Sequence, residues 1–256
     1  MKIKKNTKII VTIVLVISII LIFSLILLIS NSKSNKDNDL DLLKTSISKV
    51  FFNLPNNEYE SMNDISDYCK VIMVFDTEYL KNYTSYNYNL KNKKAYSIRA
   101  LNDAVKNILG NNTSISLNPN EEGNYDFVNA DSCQFTNDGL LNISYDSEKK
   151  LVYNISNEKN IRKIYVKWTN EYKEGNDIIL YAQALMSVEN DLGYDLYSDY
   201  NMMNLIGHYK SKSQLEKELN QNYVSSYNYE FHIRVENNKY IWKSFVRNNV
   251  DEIIVE

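Results

Sequence analysis

The sequence predicts an α+β protein: an N-terminal transmembrane helix, then a helix-first extracytoplasmic domain with a mostly antiparallel, hairpin-rich sheet. Three observations lead there. An apolar run from Ile9 to Ile29 is broken only by Thr12, Ser18 and Ser24. Three segments between residues 39 and 110 carry apolar residues at helical spacing, and beyond residue 110 the apolar period falls from 3.6 to 2.

The apolar run reaches roughly 30 Å at about 1.5 Å per residue, the thickness of a bilayer's hydrocarbon core. A secretory leader has a shorter apolar region and a small-residue cleavage site. Here "SNSKSNKDND" follows without Ala or Gly, so the run reads as an uncleaved signal-anchor. Lys2, Lys4, Lys5 and Lys8 crowd one flank without an acid, whereas Asp37, Asp39 and Asp41 dilute Lys33 and Lys36 on the other. The positive-inside bias places the N-terminus in the cytoplasm and the rest of the chain on the far side of the membrane. The expected organisation is a cytoplasmic N-terminus (1–8), a signal-anchor helix (9–30), a polar tether (31–38) and an extracytoplasmic α+β domain (39–256). The three hydroxyls of the run fall on different helix faces, so they form no small-residue dimer seam.

The chain carries a formal charge of −3, and its first eight residues contribute four lysines and no acid, which leaves −7 on the remainder. An acidic exported domain is a poor partner for nucleic acid or anionic headgroups. The expected partners are the membrane through the anchor, and other envelope proteins or the cell wall. Asn, Lys, Ile and Tyr abound while Gly (6) and Pro (2) are scarce, the mark of A/T-rich codons. Codon bias accounts for most of the 21 tyrosines, which otherwise could stack on pyranose rings. It also accounts for the sequons at Asn82, Asn111, Asn112, Asn142 and Asn154. Cys69 and Cys133 face an oxidising exterior and can close a loop of about 65 residues, worth roughly 4 kcal/mol in the chain-entropy model; two buried, unpaired thiols are the alternative.

In chain order, Leu40, Leu43, Ile47, Val50, Phe51 and Leu54 predict a helix stopped by Pro55. Ile65, Tyr68, Cys69, Ile72 and Phe75 suit a second helix, although Val71 to Phe75 also suits a buried strand. "SIRALNDAVKNILG" is a third, with Ser97 as N-cap and Gly110 as a left-handed cap. Hairpins follow. Leu141, Ile143 and Tyr145 answer Leu151, Tyr153 and Ile155. Ile164, Val166 and Trp168 answer Ile178, Leu180, Ala182 and Ala184 about Gly175 and Asn176. The Ala-Gln-Ala-Leu-Met of that second arm leaves a helix open there. Residues 189–210 read as an extended or irregular connection, and "SQLEKELNQNYV" as a short helix with Ser213 and Glu216 as capping box. "YNYEFHIRVENNKYIWKSFV" closes the domain as a hairpin about two asparagines. The elements share one core without a long linker, which predicts one domain.

This layout, with the motifs "ALNDAVKNILG" and "YNYEFHIRVENNKYIW", resembles uncharacterised single-pass, membrane-anchored surface proteins of low-GC Gram-positive bacteria. It also resembles the NTF2-like domains of conjugation and secretion scaffolds, which sit behind one N-terminal membrane helix. Neither resemblance implies functional residues.

The chemical inventory is short. The chain lacks zinc-spaced histidines, a Gly-x-Ser-x-Gly elbow, a phosphate-cradling loop and a Cys-x-x-Cys pair, so no catalytic residue and no cofactor is expected. His232 reads as a solvated strand residue beside Glu230 and Arg234. His208 lies near Asp199 in sequence, close enough for an acid–base pair. Cys133 could serve a sortase-type transpeptidase, but nothing nearby completes its set. Asp191, Asp195 and Asp199, four residues apart with Glu189 near, could hold a hard cation such as Ca²⁺, though without EF-hand spacing. A solvated acidic connection is the simpler explanation of them. The sequence therefore points to a non-catalytic binding or assembly module of the bacterial cell envelope. An enzyme acting on wall polymer or peptide is the alternative.

Overall fold

A computed structural model describes residues 38–88, 93–119, 125–127, 133, 142–154, 161–221 and 224–250. The expected cytoplasmic N-terminus, anchor and most of the tether lie outside these residues. Among the described residues, no helix is long and apolar enough to cross a membrane. The chain divides into two compact units, Met1–Leu42 and Leu43–Glu256. In the first, the described residues 38–42 are helical. The second is α+β with antiparallel sheets.

The second unit opens on a helical segment, α1 (residues 43–48), and a 3-10 turn at Phe51–Asn53 that ends before Pro55. The short strand β1 (Glu58–Tyr59) precedes α2 (Asp67–Val74), whose N-cap Ser66 accepts the Cys69 N–H at 3.2 Å. The ambiguous run Val71–Phe75 is thus mostly helix, because a cap opens it and every residue of α2 is buried. Strands β2 (Tyr86–Tyr88) and β3 (Lys93–Ser97) lead into α3 (Ile98–Leu109). Ser97 caps α3 as expected, by accepting the Ala100 N–H at 3.2 Å. Gly110 has φ 92° and ψ 173°, so it ends the helix at positive φ but outside the left-handed helical cap conformation expected for it.

Short strands β4 (Leu117–Pro119) and β5 (Tyr125–Phe127) pair with each other, and β6 (Ile143–Asp146) and β7 (Leu151–Asn154) form a hairpin where one was expected, but one residue out of the expected register. Ile143 and Tyr145 face Asn154 and Val152, so buried Val152 shares their side and Leu151 and Tyr153 lie on the other. Leu141 and Ile155 lie outside the described residues. Then come the long strands β8 (Arg162–Glu174) and β9 (Asp177–Asn190), turning at Gly175–Asn176. The Ala-Gln-Ala-Leu-Met stretch is strand rather than helix, because every second residue from Ile178 to Ala184 is buried. β10 (Gly193–Tyr197) and β11 (Leu205–Tyr209) occupy the region expected to be an extended or irregular connection; it is extended, and it pairs into the sheet rather than merely connecting. α4 (Lys212–Gln221), β12 (Tyr227–Glu236) and β13 (Lys239–Asn249) complete the chain.

The capping box of α4 lies two residues upstream of the expected Ser213/Glu216 pair. Ser211 Oγ accepts the Gln214 N–H (3.3 Å), and Gln214 Oε1 accepts the Lys210 N–H (3.1 Å). Gln214 occupies the place of the usual Glu, so the same chemistry is met with a different pair.

Three sheets result where the sequence suggested one. β2, β3, β7 and β6 form a four-stranded sheet, β4 and β5 a ribbon, and the other seven strands the main sheet. In the main sheet β8 covers one side of β9 along its length. The other side of β9 is shared: β12 pairs with residues 177–182 and β10 with residues 186–190. The sheet therefore forks at the middle of β9.

The two faces of β9 bury different cores. Ile164 (β8), Ile178, Leu180, Ala182 and Ala184 lie on the face that holds the aromatic core. There Phe231 meets Trp168 (5.1 Å between centroids), Phe51 (5.2 Å) and Phe245 (5.5 Å). α3 packs on β13 and on α2, and closes this core from the helical side. On the opposite face, past the fork, Leu185 and Leu196 meet Leu215 of α4, with Tyr165, Tyr194, Tyr209 and Leu219 around them. Cys69 of α2 is joined to Cys133 in a disulfide, which ties that helix to a point 64 residues further along.

Candidate functional site

The segment expected to be an extended or irregular connection is a paired hairpin at one edge of the main sheet. β10 pairs with the end of β9 through Gly193↔Asn190 and Leu196↔Ser187, and with β11 through Tyr194↔Tyr209 and Asp195↔His208. Gly193 makes this turn sterically feasible. It has φ 141°, and a Cβ there would lie 2.2 Å from the Tyr209 carbonyl oxygen of β11. Only glycine tolerates that approach.

The other end of the hairpin is fixed by buried polar groups. Asp199, 2% exposed, turns its carboxylate back to accept the N–H groups of Met203 (3.2 Å) and Asn204 (2.9 Å). Ser198 N–H donates to the Asn204 carbonyl (3.0 Å), and the Ser198 carbonyl accepts the Ser226 N–H (2.9 Å). The strand is therefore held although few of its side chains are buried.

The hairpin presents several apolar side chains outward, beside exposed Asn201, Asn204 and His208. Leu192 (78%), Met203 (80%), Leu205 (56%) and the adjacent Val224 (63%) are exposed, with Met202 and Ile206 somewhat less so. β11 is the last strand of the sheet, so its outer backbone groups face no further strand among the described residues. The other long edge contrasts with it. β8 carries exposed Lys163, Lys167 and Lys173 and a register shift between Trp168 and Asn170, the features that discourage edge-to-edge pairing. β11 has neither a lysine nor an acid.

The residues singled out for chemistry fall as follows. His208 pairs with Asp195 (Nδ1 to Oδ1, 2.7 Å), its cross-strand neighbour, and not with Asp199. Its Nε2 lies 3.2 Å from the Leu192 carbonyl oxygen, and Asn190 Nδ2 donates to Asp195 Oδ2 (2.8 Å), so the group clamps the β9–β10 turn. Four residues along a strand span about 13 Å, which separates Asp191 in the turn, Asp195 on β10 and Asp199 beyond it. Each of the last two already has a structural role. Among the described residues, no group of three or more His, Cys, Asp or Glu side chains is placed to hold a metal ion.

His232 sits on the solvent side of β12, 2.6 Å from Glu230 Oε1, next to the ion pair of Arg234 with Asp177 (2.7 Å). The Arg234 hydrogen bond holds the Asp177 carboxyl below its usual range. Cys133 is in the disulfide, so no thiol serves the transpeptidase chemistry. Among the described tyrosines only Tyr86 and Tyr172 are largely exposed, on different sheets, and they form no common platform.

The exposed apolar edge was missed by period counting, but it left a signal. "MMNLI" places four apolar residues in five positions with neither a strand nor a helix period, a pattern that no single buried face accommodates. No protein-family model, curated protein or solved structure matches the chain.

Proposed function

We propose that the chain is a membrane-anchored extracytoplasmic protein whose domain is a non-catalytic binding or assembly module of the bacterial cell envelope. It docks an envelope protein along β11 by accepting a strand of that partner. One observation carries the reading: an edge strand that no further strand covers among the described residues, and that has neither lysine nor acid, is flanked by Leu192, Met203, Leu205 and Ile206 in solvent. Contiguous exposed apolar surface on a soluble face marks an interaction site, and strand addition supplies affinity through the main chain and specificity through alternate side chains. The apolar run 9–29 and its lysine-rich flank support the location. The enzyme reading gains nothing, since His208 and Asp195 clamp an exposed turn.

The test is cross-linking in intact cells followed by purification of the tagged full-length chain, wild type beside Leu205→Lys/Ile206→Lys. The expected result is one or a few envelope proteins in fixed proportion with the wild type and at least tenfold less with the variant, at an unchanged thermal midpoint. Equal recovery from both chains, or no partner from either, would sink the proposal.

A further inference from the structure

A second concave site lies on the α4 face of the sheet. There β8, β9, β10 and the first turn of α4 enclose a cavity of about 320 Å³. This volume falls in the range of small-molecule sites, roughly 300–1,000 Å³. Strand parity builds it: Lys163 pairs with Ser187, Tyr165 with Leu185 and Tyr194 with Glu189, so all these side chains rise from one face. α4 brings Lys212 over the same cavity from the other side.

The lining combines two kinds of group. Tyr165 and Tyr194 are half-buried, and the small core of Leu185, Leu196 and Leu215 fixes them from behind, which limits the rotamer entropy lost on binding. Around them stand Lys163, Ser187, Glu189 and Lys212 as hydrogen-bonding groups. Ser187 is only 2% exposed, and its hydroxyl lies 3.4 Å from the Tyr165 hydroxyl. Lys163 Nζ sits 5.1 Å from the Tyr165 ring centre, and Lys212 lies 3.6 Å from Glu216. The lining holds two lysines and one acid, Glu189, and Lys212 also pairs with Glu216 outside it, so the cavity has little net charge. Cation and acid together in one lining match neither a simple anion nor a simple cation. A flat apolar ring edged with hydroxyls suits it better, because aromatic faces take the C–H side of a pyranose while mixed donors and acceptors take its hydroxyls.

We infer that this cavity is a binding site for a saccharide unit, stacked on Tyr194 and hydrogen-bonded by Lys163 and Lys212, because the Lys163 ammonium already lies over the Tyr165 ring and the Ser187 hydroxyl already meets that of Tyr165. It lies apart from the open side of β11, so the inference stands or falls independently of the docking of a partner there.

Saturation-transfer NMR on the full-length chain, held in a sugar-free zwitterionic detergent, tests it with N-acetylglucosamine, glucose and glucuronate as probes. Inorganic phosphate is the competitor. At least one sugar is expected to bind at millimolar concentration and to resist phosphate. Tyr194→Leu, which keeps an apolar side chain over the small core, should weaken binding about tenfold by removing the aromatic face. Lys163→Gln should weaken it severalfold with the thermal midpoint unchanged. Failure of all three sugars to bind at 20 mM or so, a scale set by the weak end of ordinary affinities, overturns the inference. So does binding that Tyr194→Leu and Lys163→Gln leave unaltered, or that phosphate abolishes.

Discussion

Arg247 is 3% exposed and makes no salt bridge among the described residues. Its Nη2 donates to the carbonyls of Phe51 (3.3 Å), Phe52 (3.3 Å) and Leu54 (2.9 Å), its Nη1 to Asn57 Oδ1 (3.2 Å), and its guanidinium lies 4.1 Å from the Tyr200 ring centre. The planar fork puts Nη1 on Asn57 and Nη2 on the carbonyls while its flat face lies over Tyr200, a geometry that a single ammonium on a different stem does not reproduce. Arg247→Lys is expected to lower stability by about 3 kcal/mol in urea unfolding, since it leaves buried carbonyls unmet. This residue was not singled out from the sequence, although it follows Phe245 by two on β13 and so shares its buried face. Gly193 was not legible, because the approach of Tyr209 is a tertiary event. Gly193→Ala should detach the β10–β11 turn and cost about 1–3 kcal/mol, seen as faster amide exchange in β11. Tyrosines set the alkaline limit. Burial, with the Asp76 carboxylate, pushes Tyr96 up to about 12, and burial raises Tyr68, Tyr165 and Tyr229 as well. The folded state therefore holds these protons more tightly than the unfolded chain, whose tyrosines titrate near 10. Their contribution to stability is complete below about pH 10 and is lost as pH rises towards 12. Unfolding midpoints measured from pH 8 to 12 should fall above 10, and less steeply in Tyr96→Phe.

At the scale of elements, α3 was readable because it buries one stripe behind a serine cap, whereas α2, buried on every side, left Val71 to Phe75 open to a strand reading. The hairpin of β12 and β13 was readable because Tyr229, Phe231 and Ile233 alternate with polar residues about an Asn237–Asn238 turn, both at positive φ. β10 and β11 were not. Only Leu196 among their ten residues is fully buried, so neither strand shows a period, and pairing with β9 and the Asp199 turn holds them instead. The acids of that stretch looked like a cation site only while its backbone was unknown; as a strand it sets them too far apart. The disulfide belongs to this scale too, since it fastens α2 across 64 residues. Reduction, or Cys133→Ala, should lower stability by about 4 kcal/mol in the chain-entropy model, measured by denaturant titration with and without reductant.

The whole molecule follows the expected order of helices and then antiparallel hairpins, but not the expected single sheet. Strands β2 and β3 flank α3 on its N-terminal side and recruit β6 and β7 into a separate sheet. Short strands rich in Tyr, Asn and Lys give no clean alternation, which hid them. The forked main sheet gives the domain two cores and two differently protected edges, one guarded by lysines and one apolar. That asymmetry is the basis of the functional reading: the protein keeps one edge from pairing and leaves the other available. The most direct measurement places a photo-crosslinking residue at Met203, Leu205 or Ile206, and at Tyr172 on β8 as reference, in the full-length chain in living cells. The account expects one adduct of defined mass from the β11 positions and none from Tyr172. Adducts of equal yield from both edges, or none from β11, would contradict it.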